Sequence, residues 1–139
     1  HFRGSGVWIG VGPGEILYDR EKGLPSDLVS CAFVAESGMV YVGFFDFPGI
    51  STIDPATGKI AASDLSGVMA SGVSLIDAAD GDLWAGTFGA GLFIVPFDLA
   101  GASRIENIPP CKINDLLADG DGMWVATSAG VYLATQGTR

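Results

Sequence analysis

Residues 80–87 read Asp-Gly-Asp-Leu-Trp-Ala-Gly-Thr, which is a tight acidic turn followed by an apolar, an aromatic and a small residue. The same order, after an acidic or glycine-containing turn, occurs four times, in Ser5–Gly10, Ser37–Gly43, Asp80–Thr87 and Asp121–Thr127. The aromatic positions, 8, 41, 84 and 124, are separated by 33, 43 and 40 residues. A recurrence at this spacing indicates repeated supersecondary units.

Each copy is flanked by runs that favour strands. The upstream apolar runs are Leu28–Ala35, Val73–Ala79 and Ile113–Ala118. The downstream runs, each led by glycine, are Gly14–Tyr18, Gly49–Ile53, Gly91–Phe97 and Gly130–Ala134. Weaker polar segments follow at Lys59–Asp64 and Ser103–Asn107. Short runs separated by Asp and Gly turns are typical of antiparallel hairpins, so each repeat predicts a four-stranded meander.

The predicted fold class is an all-β protein, a β-propeller, because radially packed meanders bury both faces of each sheet. A β-sandwich is the alternative, since regular short strands also fit one. The 139 residues include 21 Gly and 7 Pro, which disfavours a helical bundle. With 48% hydrophobic and 17% charged residues, the chain is too apolar for a disordered segment.

The repeats divide residues 1–139 into parts of one propeller domain. Residues 23–64 and 65–107 are each predicted to form a blade, and residues 1–22 and 108–139 incomplete blades that lack an inner and an outer strand respectively. The total is about three and a half four-stranded blades, whereas propellers typically close with four to eight. We therefore expect a partial ring: a segment of a longer propeller, or one that other chains complete.

Two parts of the chain resemble a known repeat. The stretches Val73–Asp77, Asp80–Thr87 and Gly89–Leu92 resemble the two-component regulator propeller repeat, and Ile113–Leu117, Asp121–Thr127 and Gly130–Tyr132 are similar to it. Gly23–Val29 matches the turn that leads into an inner strand. Residues 37–54 depart from the pattern, with Tyr41 in place of Trp and Phe44–Pro48 in place of a Gly-rich turn.

The resemblance implies a periplasmic or extracellular propeller of bacterial origin, commonly the sensory part of a signalling protein that detects carbohydrates or other ligands. It implies neither an enzyme nor a cofactor. We therefore expect a non-catalytic module for ligand sensing or protein–protein interaction. Two alternatives remain: a structural subunit of an extracellular assembly, and a propeller lyase or hydrolase in which Asp77 and Asp115 converge at the axis.

Composition argues against several functions. The net charge of −9 and the lack of a basic cluster disfavour nucleic-acid binding. The longest apolar stretch, around Leu92–Phe97, is too short to insert into a membrane. Because His1 is the single histidine, neither a Ser-His-Asp triad nor a histidine metal site is expected.

The acidic turns Asp77–Asp82 and Asp119–Gly122 invite comparison with calcium loops, but neither is closed by a following Glu. Since Asp and Gly are also the residues that tight hairpin turns require, we expect structural turns and no metal site. Cys31 and Cys111 are predicted to be buried, reduced thiols on strands.

Aromatic residues fall into two groups. Those at the repeated position (Trp8, Tyr41, Trp84 and Trp124) are predicted to pack between sheets. Those outside it are better ligand candidates, because they fall in loops. We predict a rim pocket formed by Phe45, Asp46, Phe47 and Phe88 together with Asp27 and Lys112, ordinary loop packing being the alternative.

Overall fold

The computed structural model describes residues 2–3, 6–9, 16–18, 20–79, 81–119 and 122–135. Within them lie fourteen strands and one 3-10 turn at Arg20–Lys22. The strands are β1 Phe2–Arg3, β2 Gly6–Ile9, β3 Ile16–Tyr18, β4 Val29–Val34, β5 Val40–Phe44, β6 Gly49–Asp54, β7 Lys59–Asp64, β8 Val73–Ala79, β9 Asp82–Thr87, β10 Leu92–Val95, β11 Ser103–Arg104, β12 Ile113–Asp119, β13 Gly122–Thr127 and β14 Gly130–Thr135. In this described part no helix has the length and apolar character needed to cross a bilayer.

The strands form four antiparallel sheets, each a meander in chain order: β1-β2-β3, β4-β5-β6-β7, β8-β9-β10-β11 and β12-β13-β14. We call them the first to fourth sheets. The all-β prediction is confirmed, as is the partial propeller, and the expectation that the first blade lacks an inner strand is wrong. One strand was not predicted: β1 pairs with β2 through Phe2 opposite Val7 and so gives the first sheet a short inner strand.

Glycines permit the tight turns between the first and second strands of the two complete sheets. Gly38 has φ +92° and Gly81 has φ +82°, a left-handed conformation that side chains with a Cβ rarely adopt. The Gly38 N–H donates to the Ala35 carbonyl over 2.9 Å and closes the first of these turns. The Asp-Gly and Ser-Gly signals in the sequence therefore mark true hairpins.

Side chains of successive sheets interlock and form the core. Between the first and second sheets the buried residues are Tyr18, Leu24, Val29, Val40, Val42, Phe44 and Ile53. The second and third sheets enclose a larger cluster that includes Tyr41, Ile50, Met69, Leu83 and Phe93. The third and fourth enclose Trp84, Leu92, Ile94, Ile105, Ile108, Ile113, Leu116, Met123, Val125 and Ala134. Most of the buried apolar surface thus lies between blades, which makes each sheet dependent on its neighbour.

The predicted packing role of the repeated aromatics holds for Tyr41 and Trp84 but is wrong for Trp124, while the Trp8 side chain lies outside the described residues. Trp84 is 0% exposed, whereas Trp124, at the equivalent position of the fourth sheet, is 41% exposed. Trp124 faces outward beside the exposed Leu117 and Leu133, which flank it in register. The difference arises because the fourth sheet covers Trp84 and no described sheet covers Trp124.

The inner strands are tied together near the ring axis. A register shift lies after the first residue of β4, β8 and β12, at Ser30, Ser74 and Asn114 respectively. The Ser30 hydroxyl donates to the Val73 carbonyl, and the Ser74 hydroxyl donates to the Ile113 carbonyl over 2.8 Å. The bulge side chain of one blade therefore bonds to the first residue of the next inner strand, and Asn114 occupies this position in the fourth sheet.

The two cysteines differ in their surroundings. Cys31 is buried on β4, as predicted, and burial raises the pKa of its thiol to about 11, so the thiol stays protonated at neutral pH. Cys111 departs from the prediction, because it precedes β12 rather than lying on a strand and is half-buried. Both are free thiols.

Candidate binding surface on the upper rim

The ring has two rims. We define the upper rim as residues 24–28, 44–49, 65–72, 88–91, 105–112 and 128–129, where the chain approaches each inner strand and passes from the second strand to the third. The lower rim, at the opposite ends of the strands, includes residues 35–39, 55–58 and 96–102. Every residue of the predicted rim pocket belongs to the upper rim.

The centre of this surface is a pair of stacked rings. Phe45 and Phe88 have ring centroids 5.1 Å apart and an interplanar angle of 22°. Phe45 belongs to the second sheet and Phe88 to the third, so the stack crosses the boundary between two blades. Phe45 is 56% exposed and presents an apolar ring to solvent.

A repeated backbone hydrogen bond positions these rings. In each case the residue after the second strand donates its N–H to the carbonyl of the residue just before the inner strand. Phe45 donates to Leu28 over 2.9 Å, and Phe88 donates to Gly72 over 3.1 Å. Ser128 donates likewise to Lys112 over 3.0 Å. The stacked pair thus occupies equivalent positions of two repeats. The sequence placed Phe88 in the turn one repeat after Phe45, and this equivalence was the signal for their contact.

Gly72 allows the two blades to approach at this point. A Cβ there would collide with the backbone carbonyl oxygens of Phe44 and Phe45. Because no side chain fills this gap, the loop that carries Phe45 can lie directly against the segment that leads into β8. The close approach brings Phe45 within stacking distance of Phe88.

Charged groups border the stack on two sides. The Lys112 Nζ lies 5.9 Å from the centroid of the Phe88 ring, at the outer limit of a cation–π contact. Asp46 is exposed, and its Oδ1 accepts a 2.6 Å hydrogen bond from the buried Ser26 hydroxyl. Ser26 also accepts from the Leu28 N–H over 2.9 Å, so the carboxylate is held to the start of β4.

Two of the predicted residues, Phe47 and Asp27, are less exposed than Phe45 and Asp46. Phe47 is half-buried and packs edge-on against Phe44, with centroids 5.7 Å apart, so its ring belongs to the core of the second sheet. Asp27 is half-buried, and its carbonyl accepts from the Val29 N–H over 3.1 Å. The structure therefore places all six predicted residues on one rim, with Phe45, Phe88 and Lys112 close together, and ligand binding there stays a prediction.

Asp77 and Asp115, considered for an axial acidic site, lie on inner strands at different levels. Asp77 pairs with Trp84, whose equivalent in the fourth sheet is Trp124. Asp115 instead pairs with Ala126, which lies two residues beyond Trp124. Two residues of a strand span about 7 Å. Each Oδ1 accepts from the N–H of the following residue, Ala78 or Leu116, over 2.8 and 2.9 Å.

The upper rim brings together two aromatic rings and two charged side chains. Across the part of the chain that the structure describes, no three His, Cys, Asp or Glu side chains lie close enough to hold a metal ion. Asp80, Gly120 and Asp121, from the two acidic turns, lie outside that part. The groups that do come together, two rings with an ammonium and a carboxylate beside them, suit reversible recognition.

Solved structures share this arrangement of sheets. One of them is described as the extracellular domain of the one-component system BT4673 from B. thetaiotaomicron. It superimposes with a TM-score of 0.80 at 20% identity, and the match covers 99% of this chain and 20% of the solved one. The fold is that of a β-propeller. Another is described as the extracellular domain of the hybrid two-component system BT3049 from the same organism. Its TM-score is 0.71 at 20% identity, and the match covers 90% of this chain and 18% of the solved one. The resemblance inferred from the repeats is confirmed at the level of the fold.

A third similar structure is virginiamycin B lyase from Staphylococcus aureus, with a TM-score of 0.54 at 16% identity, over 77% of this chain and 41% of that one. The chain spans about a fifth of the length of the two solved extracellular domains. The sequence matches no family model and no curated protein.

Proposed function

We propose that this sensor-type propeller is a non-catalytic recognition module of a bacterial signalling protein, located in the periplasm or outside the cell. Its ligand, a carbohydrate or a similar small molecule, binds on the upper rim. The observation that carries the proposal is the Phe45–Phe88 stack, in which the Phe45 ring is exposed and Lys112 lies beside the Phe88 ring. Aromatic rings that face solvent in a fixed geometry provide apolar contact area at a small entropic cost.

The proposal is tested with an array of neutral and uronic-acid-containing oligosaccharides, followed by calorimetry on the strongest binder. Phe45→Ala and Phe88→Ala are each expected to weaken binding about tenfold, because each removes one ring of the platform. Val131→Ala, an exposed apolar residue on the fourth sheet, is the control and leaves the affinity unchanged. Absence of glycan binding, or wild-type affinity in both Phe variants, would contradict the proposal.

The open face of the fourth sheet supports a second part of the proposal: a further propeller blade packs there. The equivalent face of the third sheet, Trp84 with Ile94 beside it, is fully buried by its neighbour. The fourth sheet instead exposes Leu117, Trp124, Val131 and Leu133. Asn114 occupies the position at which Ser30 and Ser74 donate to the inner strand of the next blade. Its side-chain amide is therefore placed to donate to the inner strand of a further blade.

Sedimentation tests whether this face binds other blades. The chain is expected to self-associate with rising concentration, because an exposed apolar sheet face binds a second copy when no further blade covers it. Trp124→Lys places a charge in the face and is expected to abolish the association, with the circular dichroism spectrum retained. A species that stays monomeric at every concentration, or association that Trp124→Lys leaves intact, would overturn this part.

A further inference from the structure

A second concave surface opens at the other end of the strands. It is a groove of about 630 Å³ on the lower rim, between the second and third sheets. Its walls are formed by the end of β4 with the turn that follows, by the end of β8, and by single residues of β5 and of the segment after β10. The lining side chains include Phe33, Glu36, Tyr41, Asp77 and Phe97. The volume lies within the range typical of small-ligand sites. None of the upper-rim residues contributes to it.

An aromatic pair forms one wall of this groove. Tyr41 and Phe97 meet edge to face, with centroids 5.8 Å apart and an interplanar angle of 65°. The Tyr41 hydroxyl donates to the Phe97 carbonyl over 2.9 Å, which uses its proton within the protein. Phe97 itself is 37% exposed, so its ring is the part of the pair that a ligand can contact.

The turn that carries Phe97 is held rigidly. Leu99 is buried with φ +58°, a left-handed conformation that is uncommon for leucine. Its N–H donates to the Pro96 carbonyl over 2.9 Å, and its own carbonyl accepts from the Ser63 hydroxyl over 3.0 Å. The Asp98 Oδ1 accepts from the Ala100 N–H over 3.0 Å. These bonds fix the ring position, so the site is formed before any ligand arrives.

The charged groups around the groove are all acidic. Glu36 and Asp77 line it, and no described Lys or Arg does. Burial raises the pKa of Tyr41, and the negative charge of Asp98 is a second cause of this rise. The carboxylate of Asp98, the residue after Phe97, therefore adds negative charge close to this wall. Lys59 belongs to an adjoining depression with Met39, Thr52, Asp54 and Ala61. The local charge is therefore complementary to a cation and repels an anion.

We propose that the lower-rim groove binds an organic cation, an ammonium or guanidinium group on an apolar stem. The rings of Phe33 and Phe97 contact the stem and attract the cation, while Asp77 and Glu36 pair with its charge. A neutral polyol gains only the apolar contact. The inference is independent of the upper-rim proposal, because the two surfaces share no residue.

Calorimetry with putrescine and with 1,4-butanediol, its neutral counterpart, tests the inference. Putrescine is expected to bind at least tenfold more tightly than the diol, and both Asp77→Asn and Phe97→Ala are expected to weaken it about tenfold. Asparagine retains the Oδ1 that accepts from Ala78, so the fold is preserved. Melting temperatures of both variants establish that they remain folded.

Glu106→Gln serves as the matched control, since it removes an exposed carboxylate from the upper rim. This variant is expected to bind putrescine as the wild type does. Equal affinity for the diol would show that the groove does not recognise the charge. A loss with Glu106→Gln as large as that with Asp77→Asn would show general charge attraction, and either result would overturn the inference.

A parallel titration with a short lysine-containing peptide and its norleucine analogue distinguishes the source of the cation. Binding of both the peptide and putrescine, or of putrescine alone, supports a site for the ammonium group. Tighter binding of the lysine peptide assigns the site to a protein side chain, and tighter binding of putrescine assigns it to a free amine. Equal binding of the lysine and norleucine peptides counts against recognition of the charge.

Discussion

Replacing Trp84 by alanine is expected to destabilise the chain by about 3–5 kcal/mol, a cost typical of truncating a fully buried large aromatic side chain. Trp84 is completely buried between the third and fourth sheets, and its Nε1 donates to the Ala79 carbonyl over 3.2 Å. The substitution removes both the packing between blades and this hydrogen bond. Urea unfolding followed by circular dichroism measures the difference in free energy.

Trp124→Ala is the matched control for this experiment. Trp124 lies at the same repeat position and also donates through Nε1, to the Asp119 Oδ2 over 3.1 Å, but it is partly exposed on the open face. Its replacement is expected to cost no more than about 1 kcal/mol in the monomeric chain. Equal losses for the two variants would mean that the third and fourth sheets are not held together by Trp84.

Gly86→Ala is expected to destabilise the chain by about 2–3 kcal/mol through overpacking. A Cβ at Gly86 would lie 2.6 Å from the Ile113 Cγ2 and 2.7 Å from the Ile113 Cβ. Since these atoms are close to the backbone of β12, the inner strand itself must shift to make room. The same urea titration measures the effect.

Gly89→Ala tests whether the loss is specific to the contact between blades. Nothing lies within 4 Å of a Cβ built at Gly89, so this variant is expected to be neutral or slightly more stable. Gly43 is equivalent to Gly86 in the second sheet, where a Cβ would lie 2.6 Å from the Cys31 Sγ. If Gly86→Ala proves as stable as Gly89→Ala, the close approach of Gly86 to Ile113 is wrong.

Much of the fold could be predicted because each repeat carries the same local chemistry. β8 was predicted with its exact bounds at Val73–Ala79, and β7 at Lys59–Asp64, since Gly and Asp turns limit both. The contact between Phe45 and Phe88 also followed from the repeat, since equivalent loops of neighbouring blades lie side by side.

Other features depend on contacts between blades, which the sequence of one repeat does not contain. Phe47 follows the exposed loop residues, yet it packs on Phe44 and not on the rim surface. Trp124 has the same local pattern as Trp84, and only the presence of a neighbouring sheet distinguishes them. The lower-rim groove was not predicted because its walls come from three strands of two sheets and from the segment after β10, joined by the Tyr41–Phe97 contact.

The position of the Phe45–Phe88 stack has a mechanical consequence. Gly43 brings β5 of the second sheet close to Val73 of β8 in the third sheet, and the stack bridges the same two sheets at the upper rim. A ligand lying across both rings therefore resists any tilt of one sheet against the other. Occupancy of the proposed site would thus restrict the angle between the second and third sheets.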